Sequence, residues 1–288
     1  MAGVSKLFRT SGKRVKPSLD LPEGLCGQFS LAEMKIATNN FNDKLLVGEG
    51  DFGRVYKGSI DDCTRIVAIK WLKFKPGQGL VFKDIRIKVV LLCQLHHPNL
   101  VPLIEYCIAE GENILVFEFI VKGNLFRRLH YTDHDDHDRL WWKQRLQIRI
   151  GVALALHYLH IAVKQTIIHG DVKPADILLD ENWEFKLSDF KSSKMAIFGA
   201  LRYLDPKYRI TCGLTDVYYF GVALFELLSA RKAIGIRSLK HQWPLASWDK
   251  KCKREETMNK TIDLYLMGKI ASCFNIYVDI ATSCVQNE

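Results

Sequence analysis

Two lysines, three aspartates and a glycine-rich turn, scattered along this chain, are of the types that handle phosphate and a hard divalent cation. The turn is Gly48-Glu49-Gly50-Asp51-Phe52-Gly53, followed by Arg54-Val55. Glycines at that spacing let a strand–turn–strand close over phosphates with backbone N–H groups facing them. A β-turn that merely needs glycine gives the same spacing. Lys70 ends the apolar run Val67-Ala68-Ile69. A lysine on a buried strand needs an anionic partner, and phosphate is one. Asp171, Lys173 and Asp176 share one short segment, and Asp189 follows Ser188. Carboxylates are hard oxygen ligands suited to Mg²⁺.

These residues must be positioned by two kinds of structure. Residues 45–73 and 101–120 read as strands, around Val55, Tyr56 and Ile114 to Phe117. Ser30 and Glu33 form a capping box that starts a short helix, with Phe29 and Met34 placed as a hydrophobic staple. A helix is expected over 80–95 and another over 214–230. After Leu140 the pattern is mainly helical, with Trp142, Leu146, Ile150, Ala153 and Leu154 as the expected core stripe. A strand-rich first part and a helix-rich second part imply an α+β chain of two lobes with a ligand cleft between them.

Composition narrows the rest. The chain has 288 residues, 48% hydrophobic and 25% charged, which is ordinary for a globular protein. No run reaches the roughly 18 apolar residues of a membrane span. Residues 1–25 read as a basic disordered tail, with five cations and one anion in the first 20 positions. Such a tail is either solvated or in peripheral contact with an anionic membrane face. No basic stripe with interleaved aromatics suggests nucleic acid as a partner. Eight cysteines without a C-x-x-C pair read as reduced thiols, and no signal peptide is evident. The expected location is therefore the cytoplasm, the inner face of the plasma membrane being the alternative. His134 and His137, in an Asp-rich stretch, read as part of a solvated loop rather than a metal cluster.

The order of the motifs carries more than any one of them. Gly-rich turn, strand lysine, His169-Gly170-Asp171-Val172-Lys173-Pro174-Ala175-Asp176 and Ser188-Asp189-Phe190-Lys191 follow the order of the protein-kinase motif set. Phe29-Ser30-Leu31-Ala32-Glu33, Ala37-Thr38-Asn39-Asn40-Phe41, Ile177-Leu178-Leu179-Asp180, Tyr203-Leu204-Asp205-Pro206 and Asp216-Val217-Tyr218 narrow the likeness. From about residue 26 onward the chain resembles plant receptor-like kinases, particularly the FERONIA-type malectin receptor kinases and Pto-type cytoplasmic kinases. The resemblance implies a bilobal kinase fold over 26–288, with an N-lobe over about 45–120 and a C-lobe over about 121–288. It implies ATP with Mg²⁺ and Ser/Thr protein substrates. ATP would be held by Gly48, Glu49, Gly50, Gly53, Val55, Ala68 and Lys70. Phe117 would be the gatekeeper, Glu118 to Ile120 the hinge, and Leu178 the residue beneath adenine. Asp171 would accept the proton of the attacking hydroxyl, Lys173 would balance phosphoryl charge, and Asp176 and Asp189 would hold metal. A receptor kinase or immune receptor would be a protein partner in that setting.

Departures from the family pattern decide what to expect of it. Lys88 occupies the position of the helix glutamate that pairs with the strand lysine, and Asp84 is the candidate substitute one helical turn earlier. Asp176 stands where asparagine is usual, and Gly170 where arginine is usual. Lys191, Ala200 and Lys207 replace a glycine, a threonine and a glutamate. Only 16 residues separate Asp189 from Pro206, and the chain stops short of the family's distal arginine, a C-terminally truncated pattern. Three readings stay open: a pseudokinase scaffold or decoy with residual ATP binding, a weakly active Ser/Thr kinase, and a degraded or misassembled chain.

Overall fold

The computed structural model describes residues 27–50, 53–61, 63–73, 85–109, 111–131, 139–163, 166–189, 206–232, 262–266 and 273–285. The tail, Asp84, the His134–His137 stretch, Lys191 and Ala200 lie outside them.

The first half builds a six-stranded sheet. Its strands are β1 (Gly27–Gln28), β2 (Leu46–Gly50), β3 (Gly53–Ile60), β4 (Arg65–Leu72), β5 (Leu103–Ala109) and β6 (Glu112–Glu118). They are ordered β1-β5-β6-β4-β3-β2, antiparallel except for the short β1–β5 pair. Strand alternation assigns each face a task. Val67, Ile69, Ile114 and Val116 turn to one face and pack with Met34 of α1 (Leu31–Ala37). Leu72 and Leu115 turn to the other face, against Val89 and Leu92 of α2 (Ile85–Cys93). Ala68 and Lys70, out of phase with Val67 and Ile69, therefore reach the cleft side. The capping box forms as the sequence indicates: Ser30 N donates to Glu33 at 2.7 Å, and Glu33 N donates to Ser30 Oγ at 3.2 Å.

The second half is mainly helical: α3 (Leu125–His130), α4 (Trp142–His157), α5 (Pro206–Ser229) and α6 (Phe274–Val285). A π-turn, Tyr158–Ala162, continues α4, and a small hairpin of β7 (Ile177–Leu179) and β8 (Phe185–Leu187) lies beneath the sheet. The α+β bilobal kinase architecture expected from the sequence is present. The helix expected from 214 begins eight residues earlier, so the Lys207 backbone lies in its first turn.

The core stripe of α4 differs from the expected one. Ile150 and Leu154 are about half exposed, at 53% and 51%. The buried face is Trp142, Arg145, Ile148, Val152, Ala155 and Leu156. The helix is apolar on more than one side, and a charged residue on the true core face disguises it. Arg145 is 3% exposed because its guanidinium is fully engaged. It donates to Leu140 O at 3.1 Å and Leu227 O at 2.7 Å, and pairs with Asp263. A second difference concerns the cysteines. Cys63, Cys107, Cys273 and Cys284 are not in disulfides, but Cys93 is disulfide-bonded, against the expectation of reduced thiols throughout. Sequence spacing does not reveal which distant cysteines a fold brings within bonding reach. Among the described residues no helix is long and apolar enough to cross a membrane.

Arg145 clamps α4 to α5 and to the turn at Asp263. Replacing it with Met leaves Asp263 and the Leu227 carbonyl without their donor, which costs about 3 kcal/mol. Urea unfolding of Arg145→Met is expected to show a lowered midpoint with an unchanged slope.

Candidate functional site

A cleft of about 620 Å³ lies between the sheet and the helical half, within the usual size range of small-molecule sites. Its roof is β2, β3 and β4. Gly48, Glu49, Gly50, Gly53, Val55, Ala68 and Lys70 all line it. Its back and edge carry Phe117, Glu118 and Ile120, and its floor carries Lys173, Asp176, Leu178 and Asp189. Asp171 is not among the lining residues and reaches the cleft through Lys173, whose Nζ donates to its Oδ2 at 2.5 Å.

The hairpin roof gives a mixed account of its glycines. A Cβ at Gly53 would fall 2.0 Å from Trp71 O, and its φ is 138°. The pairing of β3 with β4 therefore requires glycine there whatever the cleft holds. No such restriction applies at Gly50, which has nothing within 4 Å of its virtual Cβ. Glu49 is occupied across the hairpin, accepting from Arg54 Nε at 2.8 Å. At the back, Glu118 accepts from Lys186 Nζ at 2.6 Å, tying β6 to β8.

The segment before β7 is held from below. Asp216, fully buried on α5, accepts from His169 N at 2.8 Å and Gly170 N at 2.6 Å, and also contacts His160 Nε2 at 2.8 Å. Gly170 has φ 82°, a left-handed conformation that glycine adopts at little cost and a bulky side chain resists. His169 is fully buried, and burial pushes its pKa down, so the ring is neutral. Its Nε2 lies 2.9 Å from Ser188 O, which makes that nitrogen the donor. Nδ1 then accepts from Asp171 N at 3.4 Å. One neutral ring thus spaces the Asp171 segment from the Asp189 segment.

Ser188 ties the two carboxylate segments together, donating to Asp176 O from its backbone at 2.8 Å and from its hydroxyl at 2.9 Å. Asp176 is largely buried, with Lys173 Nζ 3.8 Å from its Oδ2. Asp189 takes φ 57°, which a short polar residue tolerates. The result is two hard carboxylates on adjoining segments at the cleft floor, a donor set that fits Mg²⁺ better than a softer metal. Among the described residues no cluster of three or more His, Cys, Asp or Glu makes another metal centre.

The cationic side of the cleft departs from an ordinary lysine–carboxylate arrangement. Lys70 pairs with Asp189, and both are mostly buried. Lys88, on α2, faces the same space. Its pKa is pushed down to about 8, chiefly by burial and then by the Lys70 charge, with Asp189 opposing. The sequence placed Lys88 where the helix glutamate is usual, and the structure shows Lys70 finding its anion on the opposite lobe instead. Val47, Val101, Asn124, Arg127 and Ala175 also line the cleft and were not foreseen. Strand alternation could have indicated Val47. Val101, Asn124 and Ala175 depend on turns that no periodicity marks, and Arg127 on a short helix, α3, that the sequence reading did not place.

Comparison with known proteins agrees with this geometry. Residues 41–259 match the protein kinase domain family. The chain is 43% identical over 283 residues to the receptor-like protein kinase ANXUR1 of Arabidopsis thaliana, covering 93% of this chain and 33% of that protein. It is 42% identical over 283 residues to the receptor-like protein kinase FERONIA of Arabidopsis thaliana, covering 93% of this chain and 31% of that protein. The chain thus spans about a third of the length of these relatives. Matched family, bilobal architecture and cleft agree: the chain belongs to the protein kinase domain family, and its likeness is to the plant receptor-like kinases.

Proposed function

We propose that this domain is a pseudokinase: a nucleotide-binding, kinase-shaped module that serves as a scaffold or decoy for protein partners in receptor-like kinase signalling. The observation that carries this reading is Lys88, a lysine in the cleft where the family has its helix glutamate. In an active kinase that glutamate holds the strand lysine over the α- and β-phosphates, leaving the aspartate after β8 for metal. Here Lys70 and Asp189 neutralise each other. Asp176 and Asp189 are the residues that would hold Mg²⁺, which when bound offsets phosphate charge. Phosphoryl transfer is chiefly a matter of positioning, and about 1 Å of misplacement costs on the order of a hundredfold in rate.

A second reading, a weakly active Ser/Thr protein kinase, draws on a separate observation. Lys173 and Asp171 meet at 2.5 Å on a segment that Asp216 braces, so the groups nearest the transferred phosphoryl keep their relation. In either reading nucleotide enters beneath Gly48, Gly50 and Gly53, with Glu118 to Ile120 at the adenine edge. The setting proposed is the cytoplasm, with the inner face of the plasma membrane, reached through the basic tail, as the alternative.

Two measurements test this. Millimolar ATP is expected to raise the melting temperature by mass action. ATP with Mg²⁺ is expected to give no phosphate incorporation into the domain or a generic basic protein. Incorporation that disappears in Asp189→Asn overturns the pseudokinase reading in favour of the weak kinase.

The buried charge also has a stability signature. The folded state holds Lys88 below its ordinary value, at about 8 rather than 10.5, so the unfolded chain binds more protons in that window. This group therefore destabilises the fold below about pH 8, and the penalty fades as pH rises toward 10.5. Lys88→Met is expected to stabilise the nucleotide-free domain at pH 7 by on the order of 1–2 kcal/mol, with a smaller gain at pH 9.5. Urea denaturation at the two pH values measures this.

A further inference from the structure

We infer that Lys88 takes over the charge role of the metal, so that the cleft binds nucleotide phosphates without requiring Mg²⁺. This inference rests on the nucleotide-binding reading above and concerns how that site is completed. Among the described residues, the ion pairs at the phosphate end of the cleft leave Lys88 over. Lys70 pairs with Asp189. Lys173 pairs with Asp171 and lies 3.8 Å from Asp176. Lys88 lines the same cleft and makes no ion pair among the described residues. The charges that act on it are Lys70, which repels it, and Asp189, which Lys70 already engages.

A largely desolvated cation in that position has no counter-ion among the described residues, and the cleft it faces is open to one. A polyphosphate supplies several negative charges at a single point of entry. A metal in such a site normally does two things: it offsets phosphate charge, and it separates phosphate from the floor carboxylates. Both tasks have a lysine here. Lys70 screens Asp189, Lys173 screens Asp171 and Asp176, and Lys88 remains to meet the phosphates directly. A glutamate at position 88 would reverse this. It would draw Lys70 away from Asp189 and restore an anionic floor that only a divalent cation could bridge to phosphate.

The test is calorimetric titration of the whole chain with the β,γ-imido analogue of ATP, in EDTA and in Mg²⁺, for the native protein and for Lys88→Glu and Lys88→Met. The native protein is expected to bind with dissociation constants within about threefold in the two buffers. Lys88→Glu is expected to weaken by about tenfold or more in EDTA and to recover with Mg²⁺, and Lys88→Met to weaken in EDTA without gaining strict metal dependence. Native binding that is lost in EDTA overturns the role of Lys88 and leaves the nucleotide reading standing, whether or not the variants fold. Failure of the native protein to bind in either buffer, with its melting transition intact, overturns both.

Discussion

The ion pair between Lys70 and Asp189 is the interaction on which the cleft depends. It joins β4 of the sheet to the segment after β8 of the helical half, and the ion pair of Glu118 with Lys186 makes a second link from sheet to helical half. A pair this far from water is a poor source of net stability, because desolvation of both ions consumes most of what their attraction returns. Its value is geometric. Removing either partner would leave a largely desolvated charge without its counter-ion, so separating the lobes at this point carries an electrostatic cost. The kinase architecture ordinarily divides these duties between two carboxylates, one on the helix and one on the floor. Here a single aspartate answers for both, and the cleft is closed by the group that would otherwise coordinate metal.

The floor is organised independently of that change. Asp216 fixes two consecutive backbone N–H groups, and the neutral His169 ring bridges to Ser188 O, which in turn belongs to the residue bonded to Asp176 O. None of these bonds involves Lys70 or Lys88. The substitutions at the helix and the retained order at the floor are therefore physically separable. A chain can keep Asp171 and Lys173 in contact while losing the placement of phosphates above them, and this separation is what sets the scaffold reading against the weak-kinase reading.

The sequence disclosed much of this. Strand alternation put Lys70 out of phase with Val67 and Ile69 and hence toward the cleft, and the capping box at Ser30 and Glu33 announced α1 at the residue where it starts. Motif order gathered residues more than a hundred positions apart into one site, because each motif is a local turn or strand end whose chemistry is readable alone. Where the reading failed, the cause was tertiary. On α4 the helix carries apolar residues around much of its circumference, and Arg145 occupies the core face because Asp263 and the Leu227 carbonyl, both distant in sequence, satisfy it together with the nearby Leu140 carbonyl. Polarity rules misplace such a residue, since burial of a charge depends on partners that spacing cannot show. The identity of the anion answering Lys70 was hidden for the same reason.

Lys88 unites these points, because its position makes little sense as packing. A methionine of similar length would fill the same volume on α2 without a desolvated charge beside Lys70. A cationic group kept where it weakens the empty fold belongs to the class of local rule-breaking that accompanies binding sites, where strain in the free state is relieved by the ligand. The energetics then run in one direction. On the proposal above, free energy that the empty domain loses to the Lys70–Lys88 repulsion would be recovered when an anion enters the cleft. On that proposal, the same residue that replaces the ordinary lysine–glutamate geometry would favour phosphate-bearing ligands, and occupancy of the cleft would be coupled to the stability of the interface between the lobes. A scaffold whose partner reads that interface would register nucleotide without having to hydrolyse it.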